Sequence, residues 1–143
     1  MPALHAPPLS LHLLGIELPE LEQLSHDVAA LERCPVKAEP LQPAALVTLL
    51  RHTDLVLQCT PVGMAPHADA SLVPAEALHP KLTVLDAVYN PRRTRLLTEA
   101  ARAGCRVVEG MEMFLGQAAV QFELWTGRPA PLEVMRRVLE VSL

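Results

Sequence analysis

Short apolar runs alternate with longer stretches of helical period along the whole chain. Leu9 to Leu14 reads as a strand, after a proline-rich lead, Met1 to Pro8, without periodicity. Gly15 to Leu18 is a turn. Pro19 then suits a first helical turn, where its missing N–H leaves nothing unpaired. Glu20, Leu21, Leu24, Val28 and Leu31 carry a 3.6-residue stripe to about Arg33. Cys34 to Leu41 is a short strand around Val36, and Gln42 to His52 a helix with Leu46, Leu49 and Leu50 on its apolar face. Asp54 to Gln58 is continuous and aliphatic, as strands buried on both faces are. Cys59 to Met64 is the turn after it, and Ala65 to Pro80 a long loop with one helical turn near Ala75. Leu82 to Asp86 is the next strand. Pro91 to Ala103 is a helix that Gly104 stops from the C′ position. Arg106 to Val108 is a strand, and Gly110 to Gly127 a long helix whose Phe114, Ala118, Phe122 and Trp125 read as a core stripe. Leu132 to Val141 closes the series with Leu132, Met135 and Leu139 at helical spacing. This alternation predicts one α/β domain over 9–143, a parallel sheet with helices on both faces, with about five strands and five helices.

Composition narrows the picture. The 143 residues are 50% hydrophobic but only 3% aromatic, so the core is aliphatic. A net charge of -4 argues against nucleic acid and anionic membrane as partners, which call for a basic patch. No run of 18 apolar residues exists, so no membrane span is expected, and the N-terminus does not read as a signal peptide. Three widely spaced cysteines, Cys34, Cys59 and Cys105, read as buried small hydrophobes of a reducing, cytoplasmic setting. A zinc site would need closer ligand spacing, so no metal is expected. The six histidines form no helix-spaced pair and read as surface residues.

The chemistry gathers at three strand ends. In parallel α/β sheets such ends face the ligand crevice. Here they read LVLQCTPVGM (Leu55 to Met64), VLDAVYNPRRTRLL (Val84 to Leu97) and GCRVVEGMEMFLGQAAVQFELWTG (Gly104 to Gly127). Gly63 and Gly110 allow a close backbone approach, and Met64 and Met113 offer a soft apolar wall. Tyr89 and Gln117 carry a hydroxyl and an amide at these positions. Arg92, Arg93 and Arg95 read as a solvated helix face.

In order and spacing these three stretches resemble the C-terminal, Rossmann-fold domain of shikimate dehydrogenases, which reduce 3-dehydroshikimate to shikimate with NADPH on the route to chorismate and the aromatic amino acids. The resemblance implies a nicotinamide-side cleft at Thr60, Pro61, Gly63, Met64, Ala87, Gly110 and Met113, and substrate contacts at Tyr89 and Gln117. It implies NADP, or NAD, as cofactor and shikimate or 3-dehydroshikimate as small-molecule partner. The family's glycine-rich phosphate loop and the first βα unit around it, expected just before Leu9, have no counterpart here. The same holds for the N-terminal domain with its catalytic Lys–Asp pair, so the fold is expected to be truncated. No catalytic residue is assigned, and the chain alone is expected to be inactive. Where the family holds a 2′-phosphate, this sequence has Gly15, Ile16 and Glu17, and an acid there suits a ribose 2′-OH instead. The rival expectation is a non-catalytic remnant, acting as a nucleotide-binding module or as a homodimer formed by strand exchange across the missing central strand.

Overall fold

The computed structural model describes residues 10–142. The Met1 to Pro8 lead, His5 and the expected strand start at Leu9 lie outside the described residues. The chain packs as two compact units, one ending at Ala45 and the other starting at Leu46.

In the first unit β1 (Leu11–Gly15) pairs in parallel with β2 (Val36–Pro40), from Leu11 opposite Val36 to Gly15 opposite Pro40. The connection is α1 (Leu18–Ala29), which packs on both strands. Leu21 is its buried anchor, but Leu24 and Leu31 of the expected stripe are exposed. Two strands make a platform too narrow to cover a twelve-residue helix. The helix stops short of Arg33 because Leu31 and Glu32 donate to the carbonyls three residues back, and Glu32 turns out at φ 49°.

α2 (Pro43–Leu50) straddles the division, with Leu46 and Leu50 buried. In the second unit β3 (Leu55–Gln58), β4 (Thr83–Asp86) and β5 (Arg106–Val108) form a parallel sheet in that order. Leu55 stands opposite Thr83, and Thr83 opposite Arg106. The expected turn near Ala75 is a 3-10 turn, Ala75–Ala77. α3 (Arg95–Arg102) packs on β4 and β5 through buried Leu96, Leu97 and Ala100. It starts four residues after Pro91, at the point where Thr94 accepts a hydrogen bond from the Leu97 N–H and caps it. Gly104, at φ 82°, ends the turn that follows.

α4 (Gly110–Thr126) buries Gly110, Met111, Leu115 and Ala119. The expected core stripe is therefore rotated: Phe114, Ala118 and Phe122 are half-buried, and Trp125 is 80% exposed. Length explains Trp125. Seventeen helical residues span roughly 25 Å, while three- or four-residue strands span about 10–14 Å, so the helix end overhangs the sheet. α5 (Leu132–Ser142) has no buried residue; Met135 and Leu139 are half-buried and Leu132 is exposed. It is clipped to α4 by Arg136, whose guanidinium donates to both Glu112 carboxylate oxygens.

That clip predicts a pH dependence. The Arg136 hydrogen bond holds the Glu112 carboxyl below its ordinary 4.5, and partial burial opposes the shift. A depressed carboxyl stabilises above its unfolded-state pKa, and the contribution is lost as pH falls through the folded value. Hydrogen exchange along α5 should therefore speed up below about pH 4.5, and more than in Arg136→Met, where the clip is already gone. Parallel acid profiles for the two proteins would contradict this.

Two histidine and cysteine readings need correction. His79 is half-buried, its Nε2 2.9 Å from the Leu50 carbonyl. Of the cysteines only Cys105 is buried; Cys34 is half-buried and Cys59 exposed.

Parallel strands alternating with helices make the architecture Rossmann-like. In the strand order 3-2-1-4-5-6 of such folds, the pairs 3-2 and 4-5-6 adjoin only strand 1. β2-β1 and β3-β4-β5 match those flanking groups, and no strand among the described residues takes the place of strand 1.

Candidate functional site

All three strands of the second unit point the same way, so the segments leaving β3, β4 and β5 emerge on one side. Residues after Gln58 and after Asp86 enclose an open cleft of about 520 Å³. Thr60, Pro61, Met64, Ala87 and Tyr89 line it together, and with them Cys59, Ala65, Val88 and Asn90, which motif spacing did not single out. Each of these four directly flanks a predicted residue, and that adjacency was the available signal.

The two glycines of the expected site lie behind the wall. Gly63 sits at φ 89°, a conformation that favours glycine, and a Cβ there would be 3.3 Å from the Ala70 carbonyl. A Cβ on Gly110 would lie 2.6 Å from the Val88 carbonyl oxygen and 2.7 Å from those of Ala87 and Asp86. The close approach at Gly110 is thus made by the chain's own strand end. It seats the start of α4 against the segment that lines the cleft. Met113 and Gln117 are exposed on α4, one turn apart on a common face. They are outside the cleft lining, but the helix reaches its rim: the Phe114 ring stacks on Tyr89 with centroids 5.1 Å apart.

Beneath the cleft lies a polar knot. Asp86 is fully buried. Its Oδ1 accepts from Gln58 Nε2 at 3.2 Å and from the Val88 N–H at 3.0 Å, and its Oδ2 accepts from the Thr94 hydroxyl at 2.6 Å. Gln58 Nε2 also donates to the carbonyls of Thr60 (3.0 Å) and Val62 (3.1 Å). One carboxylate therefore joins the end of β3, the loop after β4 and the cap of α3. At the surface Arg92 donates to Glu109 at 2.9 Å, tying that loop to the residue before α4. The same hydrogen bond raises the Arg92 pKa. The arginines are otherwise the solvated face expected: Arg93 is exposed, and exposed Arg95 pairs with Glu99 and donates to the Asp69 carbonyl.

The lining suits a flat ring with one apolar face. Pro61, Met64, Ala65, Ala87 and Val88 supply carbon, while Thr60, Tyr89 and Asn90 supply polar groups. Glu17 belongs to the first unit, where it precedes α1 and makes no side-chain cap. No helix among the described residues is long and apolar enough to cross a membrane.

A family profile described as Shikimate 5'-dehydrogenase C-terminal domain matches residues 110–140. The chain is 40% identical over 146 residues to the shikimate dehydrogenase (NADP(+)) of Dehalococcoides mccartyi (strain CBDB1), across 97% of this chain and 51% of that protein. It is 53% identical over 91 residues to the shikimate dehydrogenase (NADP(+)) of Methanopyrus kandleri, across 63% of this chain and 31% of that one. Shikimate 5-dehydrogenase from Listeria monocytogenes, solved in complex with shikimate and NAD, superposes with a TM-score of 0.71 at 26% identity, over 91% of this chain and 55% of that one. The chain thus spans about half the length of the first of these relatives. Strand-tip motifs, parallel architecture and these matches agree: the chain belongs to the shikimate dehydrogenase family.

Proposed function

We propose that residues 9–143 form the cofactor-side domain of a cytoplasmic, NADP(H)-dependent shikimate dehydrogenase, and that the cleft between 59–65 and 87–90 seats the nicotinamide ring beside a small hydroxylated acid. The observation that carries this reading is the shared cleft of Thr60, Pro61, Met64, Ala87 and Tyr89 at the C-terminal ends of parallel strands. The names of the relatives favour NADP(H) and the shikimate/3-dehydroshikimate pair. Glu17 is the one residue that argues for NAD instead.

A nicotinamide held in the cleft would supply hydride acceptance or donation at the alcohol carbon. Pro61 and Met64 would hold the ring's apolar face, Thr60 and Asn90 would offer hydrogen bonds to polar edges, and Tyr89 in the lining, with Gln117 on the exposed face of α4, would offer partners to the acid's hydroxyls. The alcohol proton needs a base. The chain's two lysines, Lys37 in β2 and Lys81 at the N-terminal end of β4, are not in the cleft lining. The cleft lining also holds no carboxylate and no histidine, so turnover calls for a base from outside the lining. The 143-residue chain alone is expected to show no shikimate-dependent NADP+ reduction, while NADP+ and shikimate together shift the amide resonances of Thr60, Ala87 and Tyr89. Clear turnover would overturn the first expectation, and shifts confined to residues away from the cleft would overturn the assignment of the site.

A second reading, a non-catalytic module that pairs with a second copy, is favoured by one observation: among the described residues β3 ends its sheet, and its edge is aliphatic.

A further inference from the structure

We propose that Phe114 is a positioning residue for the acid's side of the cleft: it fixes the ring of Tyr89, so that the phenol meets a hydroxylated acid already oriented. The proposal deepens the reading of the cleft above and rests on it. Both residues belong to the second unit. The chain has two phenylalanines, one tryptophan and one tyrosine, too few to build its core. Two of these aromatics nevertheless meet at the cleft. The Tyr89 and Phe114 rings stack with centroids 5.1 Å apart and an interplanar angle of 24°. Aromatic pairs attract in such offset arrangements.

The backbone explains why the rings meet. Gly110, Phe114 and Gln117 are spaced i, i+4, i+7, so they share one stripe of α4. The stripe begins where the helix touches the segment leaving β4, at the carbonyls of Asp86, Ala87 and Val88. One turn on, the same stripe meets the next residue of that segment, Tyr89. Val88 is buried with its N–H on Asp86 Oδ1, so the chain is anchored just before Tyr89. The Tyr89 side chain itself is outside the core and lines the cleft. Half-buried Phe114 gives its ring a face to rest on.

A phenolic oxygen both donates and accepts, so the direction of the ring decides which hydroxyls of a ligand it suits. A side chain ordered only on binding weakens a complex by about two- to tenfold relative to one ordered beforehand. Gln117, the next position of the stripe, is exposed on α4. The stack therefore sets the phenol in register with the helix that carries the amide.

The test titrates the 143-residue chain with shikimate in the presence of NADP+ and reads the amides of Thr60, Ala87 and Tyr89. Phe114→Leu keeps an apolar, helix-compatible side chain and removes the ring. It should weaken shikimate binding about two- to tenfold and leave the amide spectrum of β3, β4 and β5 unchanged. It should also move the ring protons of Tyr89 toward their positions in free tyrosine, a signal that the chain's single tyrosine makes unambiguous. Phe114→Tyr, which restores an aromatic face, should recover the parent's affinity. Tyr89→Phe keeps the stack and removes the hydroxyl. In that background Phe114→Leu should cost little further, whereas a purely structural role would cost the same in both. Undiminished shikimate binding by F114L, or an equal loss in the Tyr89→Phe background, would overturn the proposal and leave the site reading standing. A parent chain that ignores shikimate while its Tyr89 ring signal reports the stack would overturn the site reading, and the positioning role with it.

Discussion

Gly110→Ala is expected to destabilise the second unit by about 3 kcal/mol, although alanine is the better helix former. The two effects oppose each other and differ in size. Removing a glycine from a helix gains roughly 0.5–1 kcal/mol. Against that, the added Cβ would meet three backbone oxygens at 2.6–2.7 Å, and backbone cannot rotate away as a flexible side chain can. Either the start of α4 lifts or the Asp86–Val88 segment retreats. Both movements disturb the cleft, because Ala87 and Val88 line it. An internal control separates packing from propensity. Gly116 lies in the same helix, and a Cβ there meets nothing within 4 Å. Gly116→Ala should therefore stabilise slightly, with a sign opposite to Gly110→Ala. Denaturation midpoints for the two variants would decide; a Gly110→Ala protein as stable as the parent would show that α4 does not seat on the strand end.

What was legible in the sequence was local. CTPVGM and DAVYN each sit where an apolar run stops, and a parallel sheet brings such stops to one side, so the order of these two motifs places the residues that line the cleft, while Gly110 lies behind its wall. Helix ends were less legible. Thr94, not Pro91, begins α3, because its hydroxyl is the group that satisfies the Leu97 N–H. The face of α4 was misjudged by its aromatics: Phe114, Phe122 and Trp125 fall on a helical stripe, yet the shorter Met111, Leu115 and Ala119 are what the core accepts. A stripe gives direction only where a facing surface is long enough to receive it, and Trp125 lies past the end of that surface. Least legible was Asp86. Its partner Gln58 is 28 residues away, and no spacing rule connects them. In the structure Gln58 is the amide that joins two strand tips.

Asp86→Ala follows from that knot and should be the other severe substitution, costing about 3 kcal/mol. The carboxylate is fully buried and accepts from three donors: Gln58 Nε2, the Val88 N–H and the Thr94 hydroxyl. Alanine leaves all three facing a void, and each unmatched buried donor costs about 1–3 kcal/mol. Some of that is recovered, because Gln58 retains the Thr60 and Val62 carbonyls and Thr94 can turn toward its own helix. Asp86→Asn should cost less, about 1–2 kcal/mol. Its oxygen can keep Gln58 and Val88, while its amide must donate to a Thr94 hydroxyl that now donates to the side chain. Thr94→Val removes the α3 cap as well as this partner, for about 2 kcal/mol. Because Thr94 and Asp86 share one hydrogen bond, the double variant Asp86→Ala with Thr94→Val should lose less than the two single losses added together. Exchange at the Thr60 and Val88 amides should rise in Asp86→Ala ahead of global unfolding, since the Thr60 N–H donates to Gln58 Oε1 and the Val88 N–H to Asp86 Oδ1. A variant within about 1 kcal/mol of the parent, with additive losses in the double, would mean the cleft walls are held by the apolar core alone.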